Sequence, residues 1–326
     1  MDECAAKRAS ATRRAMIAGG LACAIAAPAA RAQFRLGDLV RGVTESIGID
    51  GLIGGGQPIT TSLEDAQWGA PDLDGVTPGV PASPMNALER TATGGFILQP
   101  GYYSYGAQSY CLHAGTHGPG GGDGYLYAPL AGSAALVVRD ILRNSVARPE
   151  IEQSTVQSLI WAILSRAKLE DLNNDLRMAA AALLSPRQLA TLNRSALDLL
   201  PGNSFSRLLG EVPAPLRAVV EAEAELRQAF AGGGGNYGEL EAIAVLAGAA
   251  PMGPGSRAVP SGRWSEHPDG FRVRYIPSGY SQTQVEVWCE DGAAGAGREF
   301  DPSVQVAVPG NTARQRLAQS GRERVS

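Results

Sequence analysis

A cysteine at the end of an aromatic run and a glutamine inside an apolar helical pattern constrain this chain more than any other pair of residues. Ser109-Tyr110-Cys111-Leu112-His113 closes the stretch Tyr102 to Leu112, which follows the turn signal Pro100-Gly101 and has the aromatic content of a β-strand. In Thr155-Val156-Gln157-Ser158-Leu159-Ile160-Trp161, apolar residues recur at helical spacing. The stripe continues as Val156, Leu159, Ile160, Ile163 and Leu164, in a helix expected to begin near Pro149. Gln157 falls beside that stripe, and Trp161 lies one turn further on the same face. A glutamine so placed must find partners for its amide or use it. Between strand and helix the chain passes a loop with six glycines, Gly115 to Gly124, and a short helical pattern from Leu136 to Ser145. The loop is followed by no Gly-Lys-Ser/Thr, so it is not a phosphate loop.

A cysteine and a glutamine brought together by a fold can do one unusual reaction. The thiolate attacks the carboxamide, ammonia leaves, and an internal thioester remains, guarded from water until an amine reaches it.

The first 32 residues have the pattern of an export signal. Lys7, Arg8, Arg13 and Arg14 form a basic start, Ala15 to Ala27 is a short apolar run, and Ala30-Arg31-Ala32 offers a cleavage site before Gln33. Thr12-Arg13-Arg14-Ala15-Met16-Ile17 is similar to a twin-arginine signal, with an ordinary secretory signal as the alternative. The expected location is therefore periplasmic, secreted or cell-surface. No later apolar run is long enough for a transmembrane helix, so a soluble or peripheral protein is expected. The formal net charge of −4, more acidic once the basic leader is removed, argues against nucleic acid as a partner. Outside the leader the chain holds one lysine, Lys168, and two cysteines, Cys111 and Cys289. In an oxidising compartment those cysteines could form a disulfide joining the two halves of the chain.

Composition divides the rest. Residues 33–93, punctuated by Gly51 to Gly56 and by the Pro-rich stretch Pro71 to Pro84, read as a linker or as an arm over the folded part. An α+β domain is expected over 94–250, its helical extension comprising Leu169 to Leu184, Arg187 to Leu199, Ala214 to Phe230 and Tyr237 to Ala249. A linker over 251–262 leads to a small β module over 263–310, where Phe271 to Tyr275, Thr283 to Trp288 and Val304 to Val308 have strand character. Residues 311–326 are polar and read as a loose tail.

The Tyr110-Cys111 pair at a strand end, the Ile141-Leu142-Arg143-Asn144 helix end and the glutamine followed by Ile160-Trp161 resemble the thioester domains of bacterial surface adhesins. The resemblance covers roughly residues 94–170. It implies a thioester between Cys111 and Gln157, used for covalent attachment to amine-bearing components of a protein or surface, in single-turnover binding instead of catalysis. No cofactor and no metal are expected. Tyr110 and Trp161 are expected to shield the bond, with His113 and His117 nearby.

Three other readings remain open. Cys111 can be structural, inert or disulfide-bonded to Cys289, in an envelope protein that binds without covalent chemistry. It can be the nucleophile of a cysteine hydrolase, with His113, His117 or His267 as base. On a regular strand His113 would share the face of Cys111 but lie ~6–7 Å along it. A zinc site could draw on Cys111, His113, His117 and Asp123, although their spacing matches no tight motif. The acidic pairs Glu170-Asp171 and Glu221 to Glu225 read as solvated helix faces.

Overall fold

The computed structural model describes residues 57–192 and 214–323. The leader, residues 33–56 and the part of the Arg187 to Leu199 expectation beyond Leu192 lie outside them. The described residues form a mixed α and β structure within one compact unit.

Six antiparallel strands dominate it: β1 Gly101–Cys111, β2 Tyr125–Pro129, β3 Arg272–Gly279, β4 Gln282–Cys289, β5 Gln305–Pro309 and β6 Leu317–Glu323. Pairing runs β1-β6-β5-β2-β3-β4 and returns from β4 to β1, which closes a barrel-like sheet. Every strand from β3 onward comes from beyond residue 263. The expected C-terminal module is therefore not separate, because its strands supply most of the barrel that β1 and β2 begin. The expected loose tail is strand β6, paired with β1 and buried from Leu317 to Gly321. The 251–262 segment is fastened as well. Arg257 N–H donates to the Gly310 carbonyl at 2.9 Å, and Val259 is buried.

The described part of the expected arm, residues 57–93, packs on this barrel. Ile59, Leu63 and Met85 join the core, and the Thr61 hydroxyl donates to the Pro129 carbonyl at 2.6 Å. Asp74 pairs with Arg263, and the Trp264 indole N–H donates to the Val76 carbonyl at 3.0 Å.

Six helices are described: α1 Ala135–Val146, α2 Gln153–Leu164, α3 Asn174–Leu183, α4 Pro186–Leu192, α5 Ala214–Ala231 and α6 Tyr237–Ala244. Helix α2 starts at Gln153, four residues after Pro149. It touches α1, α3, α5, α6 and the strand β1. Every residue from Val156 to Leu164 is buried, so the helix is enclosed on all sides and not only along its apolar stripe. Strand and helix elements thus share one core in which the C-terminal end of β1 runs against the first turns of α2.

Candidate functional site

Strand β1 changes neighbours along its length. From Gly101 to Gln108 it pairs with β4, whereas Ser109, Tyr110 and Cys111 pair with β6 on the other side. Strand β4 begins at Gln282, so beyond Gln108 one edge of β1 has no strand beside it. Backbone groups of alternate residues point to the same edge, which leaves Ser109 and Cys111 needing partners there. Two glutamines one helical turn apart on α2 supply them. Gln153 Nε2 donates to the Ser109 carbonyl at 3.1 Å and to the Ser281 carbonyl at 2.7 Å. Cys111 N–H donates to Gln157 Oε1 at 2.7 Å, and Gln157 Nε2 donates to the Cys111 carbonyl at 3.2 Å.

The fold therefore brings Cys111 and Gln157 together, in a buried position where both residues are at most 2% exposed. The Cys111 side chain leaves the Cα between the two backbone groups that the carboxamide grips. Donation from Cys111 N–H polarises the Gln157 carbonyl, and it would follow the oxygen as negative charge developed there. Burial, with a smaller contribution from Glu241, pushes the Cys111 thiol well above its ordinary pKa, so the resting sulfur keeps its proton.

The turn between β3 and β4 completes the site. Tyr280 and Ser281 form its two-residue tip, and Ser109 N–H donates to the Ser281 carbonyl at 3.0 Å. A cleft of about 190 Å3 opens here, lined by Ser109, Gln153, Ser154, Gln157, Tyr237, Tyr280 and Ser281. The Tyr237 and Tyr280 hydroxyls are 3.1 Å apart, and the Tyr280 hydroxyl donates to Glu241. Trp161, fully buried, stacks on Tyr237 with ring centroids 5.6 Å apart. It thus lies between the core and the cleft wall, and its indole N–H has no hydrogen-bond partner among the described residues.

The other expected site residues stand apart from this arrangement. Tyr110 is fully buried, but strand alternation sends its side chain to the face opposite the Cys111 thiol, and its hydroxyl donates to Gln108 at 3.0 Å. Tyr110 is therefore not placed to cover the Cys111 sulfur. Both ring nitrogens of His113 lie near Arg316 Nη1, at 2.7 and 2.8 Å, and burial followed by that guanidinium holds His113 well below the ordinary histidine pKa. His117 sits in a short bridge beside Leu246 and Arg314, and His267 stacks on Phe271. Among the described residues no hydrogen bond joins any of the three histidines to Cys111. Asp123 pairs with Arg314 at 2.8 Å. Of the four suggested zinc ligands, His113 and Asp123 are taken up by arginines, and among the described residues no cluster of three or more His, Cys, Asp or Glu could hold a metal ion.

The disulfide expectation is overturned. Cys289 pairs with Gly101 at the start of β1, ten residues of strand from Cys111, roughly 30 Å at about 3.3 Å per residue. Both thiols are free and buried, and a disulfide needs its Cα atoms within about 7 Å.

Gln153, Tyr237, Glu241 and Tyr280 escaped the sequence reading. Gln153 left a trace, being a second glutamine one turn before Gln157 on the same helix. Tyr237 and Glu241 share the same i, i+4 spacing, but nothing local ties them to Cys111. Compared with known proteins, the chain matches no family model, no curated protein and no solved structure. Among the described residues no helix is long and apolar enough to cross a membrane.

Proposed function

We propose that Cys111 and Gln157 form an internal thioester that attaches this protein covalently to an amine-bearing partner in the cell envelope or on a surface. The observation that carries the reading is the two-point hydrogen bond between the Cys111 backbone and the carboxamide of Gln157, a residue that lines a cleft. Formation of the bond is balanced. The Cys111 sulfur adds to the Gln157 carbonyl carbon, its proton passes to the carboxamide nitrogen, and the C–N bond breaks to release ammonia. Attack by a primary amine then makes an amide at Gln157 and returns the Cys111 thiol. Burial by Trp161 and the surrounding helices favours a long-lived thioester, since water is kept from the acyl carbon. In this reading the fold is a thioester-domain-like α/β unit whose barrel includes the C-terminal strands, and the leader delivers it to the periplasm, the medium or the cell surface.

A second reading rests on the same hydrogen bonds. The Gln157 amide satisfies the donor and acceptor that a neighbouring strand would satisfy at Cys111, which is sufficient reason for a buried glutamine. Cys111 is then an inert core thiol in an interaction protein. Intact mass of the purified protein separates the two. A thioester gives a mass one ammonia below that of the sequence, and incubation with methylamine raises it by one methylamine. A mass equal to that of the unmodified chain, unchanged by methylamine, leaves the structural role alone standing.

A further inference from the structure

We propose that Glu241, acting through the Tyr280 hydroxyl, is the base that removes the proton from a primary amine entering the cleft beside Gln157. This rests on the thioester reading and adds the group that makes the amine reactive. An alkylammonium has no lone pair, and at neutral pH nearly all of an alkylamine is in that form. Aminolysis there needs a base within hydrogen-bond reach, directly or through one intervening group.

The cleft supplies both a reception site and a relay. Its lining contains no lysine or arginine, and two phenol rings stand in its wall. Aromatic faces with a carboxylate behind them favour an entering cation. Glu241 lies one helical turn after Tyr237 on α6, and it accepts the Tyr280 hydroxyl, which in turn lies 3.1 Å from the Tyr237 hydroxyl. The same carboxylate contributes to the upward shift of the Cys111 thiol, which places its charge within electrostatic reach of the reacting sulfur.

The step balances as follows. The ammonium gives a proton to the Tyr280 oxygen as the Tyr280 hydroxyl passes its own to Glu241. The freed amine nitrogen adds to the Gln157 carbonyl carbon, the C–N bond forms and the C–S bond breaks. The departing sulfur takes the second proton from nitrogen and becomes the Cys111 thiol. Glu241 later releases its proton to solvent.

The test compares two nucleophiles on the full-length protein, following intact mass over time. Methylamine is protonated at neutral pH and depends on the base, whereas hydroxylamine is neutral there and does not. Glu241→Gln and Tyr280→Phe should each retain the ammonia-deficient mass, which reports an intact site. Each should slow methylamine incorporation about a hundredfold, within the range usual for loss of a general base, while hydroxylamine reacts at nearly the native rate. Equal slowing toward both nucleophiles, or no slowing toward methylamine, would overturn the role of Glu241. So would variants that lack the ammonia-deficient mass when the native protein has it. If the native protein itself shows no ammonia loss, the thioester reading has failed and the base falls with it.

Discussion

Leu317 lies opposite Cys111 in the barrel wall, and Ala318 lies opposite Tyr110. The residue proposed to react is therefore held from one side by the last strand described and from the other by a helix placed midway along the chain. That arrangement makes the C-terminal strands part of the site. It also makes β1 the seam where the two ends of the barrel meet.

Truncation tests this directly. A chain ending at residue 262 loses β3 to β6, four of the six barrel strands, and with them the Tyr280-Ser281 tip. The expected outcome is an unfolded or aggregating product by circular dichroism and size-exclusion chromatography. Limited proteolysis of the intact protein should likewise leave no stable fragment ending near residue 250. Recovery of a folded 94–250 fragment would show that the barrel is not needed.

Why the sequence led to a separate module can be seen in particular residues. Strands β3 and β4 alternate apolar and polar side chains, as in Thr283, Val285 and Val287 with Gln284 and Glu286 between them, so they were legible. Strand β2, Tyr125 to Pro129, is buried on both faces and shows no alternation. Strand β6 is polar in composition, yet Gln319 and Ser320 are fully buried, held by local hydrogen bonds such as Gln319 Nε2 to the Leu317 carbonyl at 2.8 Å. A period-of-two reading misses both. Without them the strands after residue 263 have no visible route back to β1. The Cys111–Gln157 meeting was legible because a buried glutamine demands a partner, whereas Glu241 and Tyr280 reach the site through tertiary contacts that no local pattern records.

The enclosed helix α2 gives a stability prediction. Ile160 is fully buried, and Ile160→Asp places a carboxylate in the core. The cost should be on the order of 4 kcal/mol or more, read from chemical denaturation. A midpoint within experimental error of the native value would mean that the side chain has a route to water.

Glu223 on α5 gives a pH prediction. Burial raises its pKa from 4.5 to about 7, against the smaller opposing pull of Arg166 and Arg227. Below about pH 4.5 both folded and unfolded chains hold the proton. Between 4.5 and about 7 only the folded state still holds it, so stability falls as pH rises through that window and levels off above it. Glu223→Gln should remove that decline, on the order of 2–3 kcal/mol across the window. Urea titrations of both proteins at pH 4.5, 6 and 8 measure it. Parallel pH profiles for the two proteins would contradict the shift.

Gly115 lies four residues beyond Cys111 with φ +72°, and a Cβ built there would stand 2.3 Å from the Ala218 carbonyl oxygen of α5. Gly115→Ala therefore meets both an unfavourable backbone conformation and a contact that only main-chain movement can relieve. A loss of about 2 kcal/mol or more is expected in denaturant titration. A fully stable alanine variant would show that the loop and α5 can separate freely.

Substitutions at Gln157 separate its chemistry from its hydrogen bonds. Gln157→Ala removes both, leaving the Cys111 N–H and carbonyl without partners in a buried place, at a cost of about 1–3 kcal/mol. Cys111→Ala removes only the sulfur, so its backbone remains gripped and its stability loss should be the smaller of the two. Neither variant can lose ammonia at this site, and neither should take up methylamine. Gln157→Glu sharpens the contrast, since a protonated carboxyl can still accept from Cys111 N–H and donate to the Cys111 carbonyl. It should recover much of the stability lost in Gln157→Ala at low pH and lose it as pH rises, because burial disfavours the carboxylate. Intact mass and denaturant titration on the three proteins give six readings. Methylamine uptake by Gln157→Ala or Cys111→Ala would place the reactive bond elsewhere, and equal stability of all three would show that the Gln157 amide does not support the strand edge.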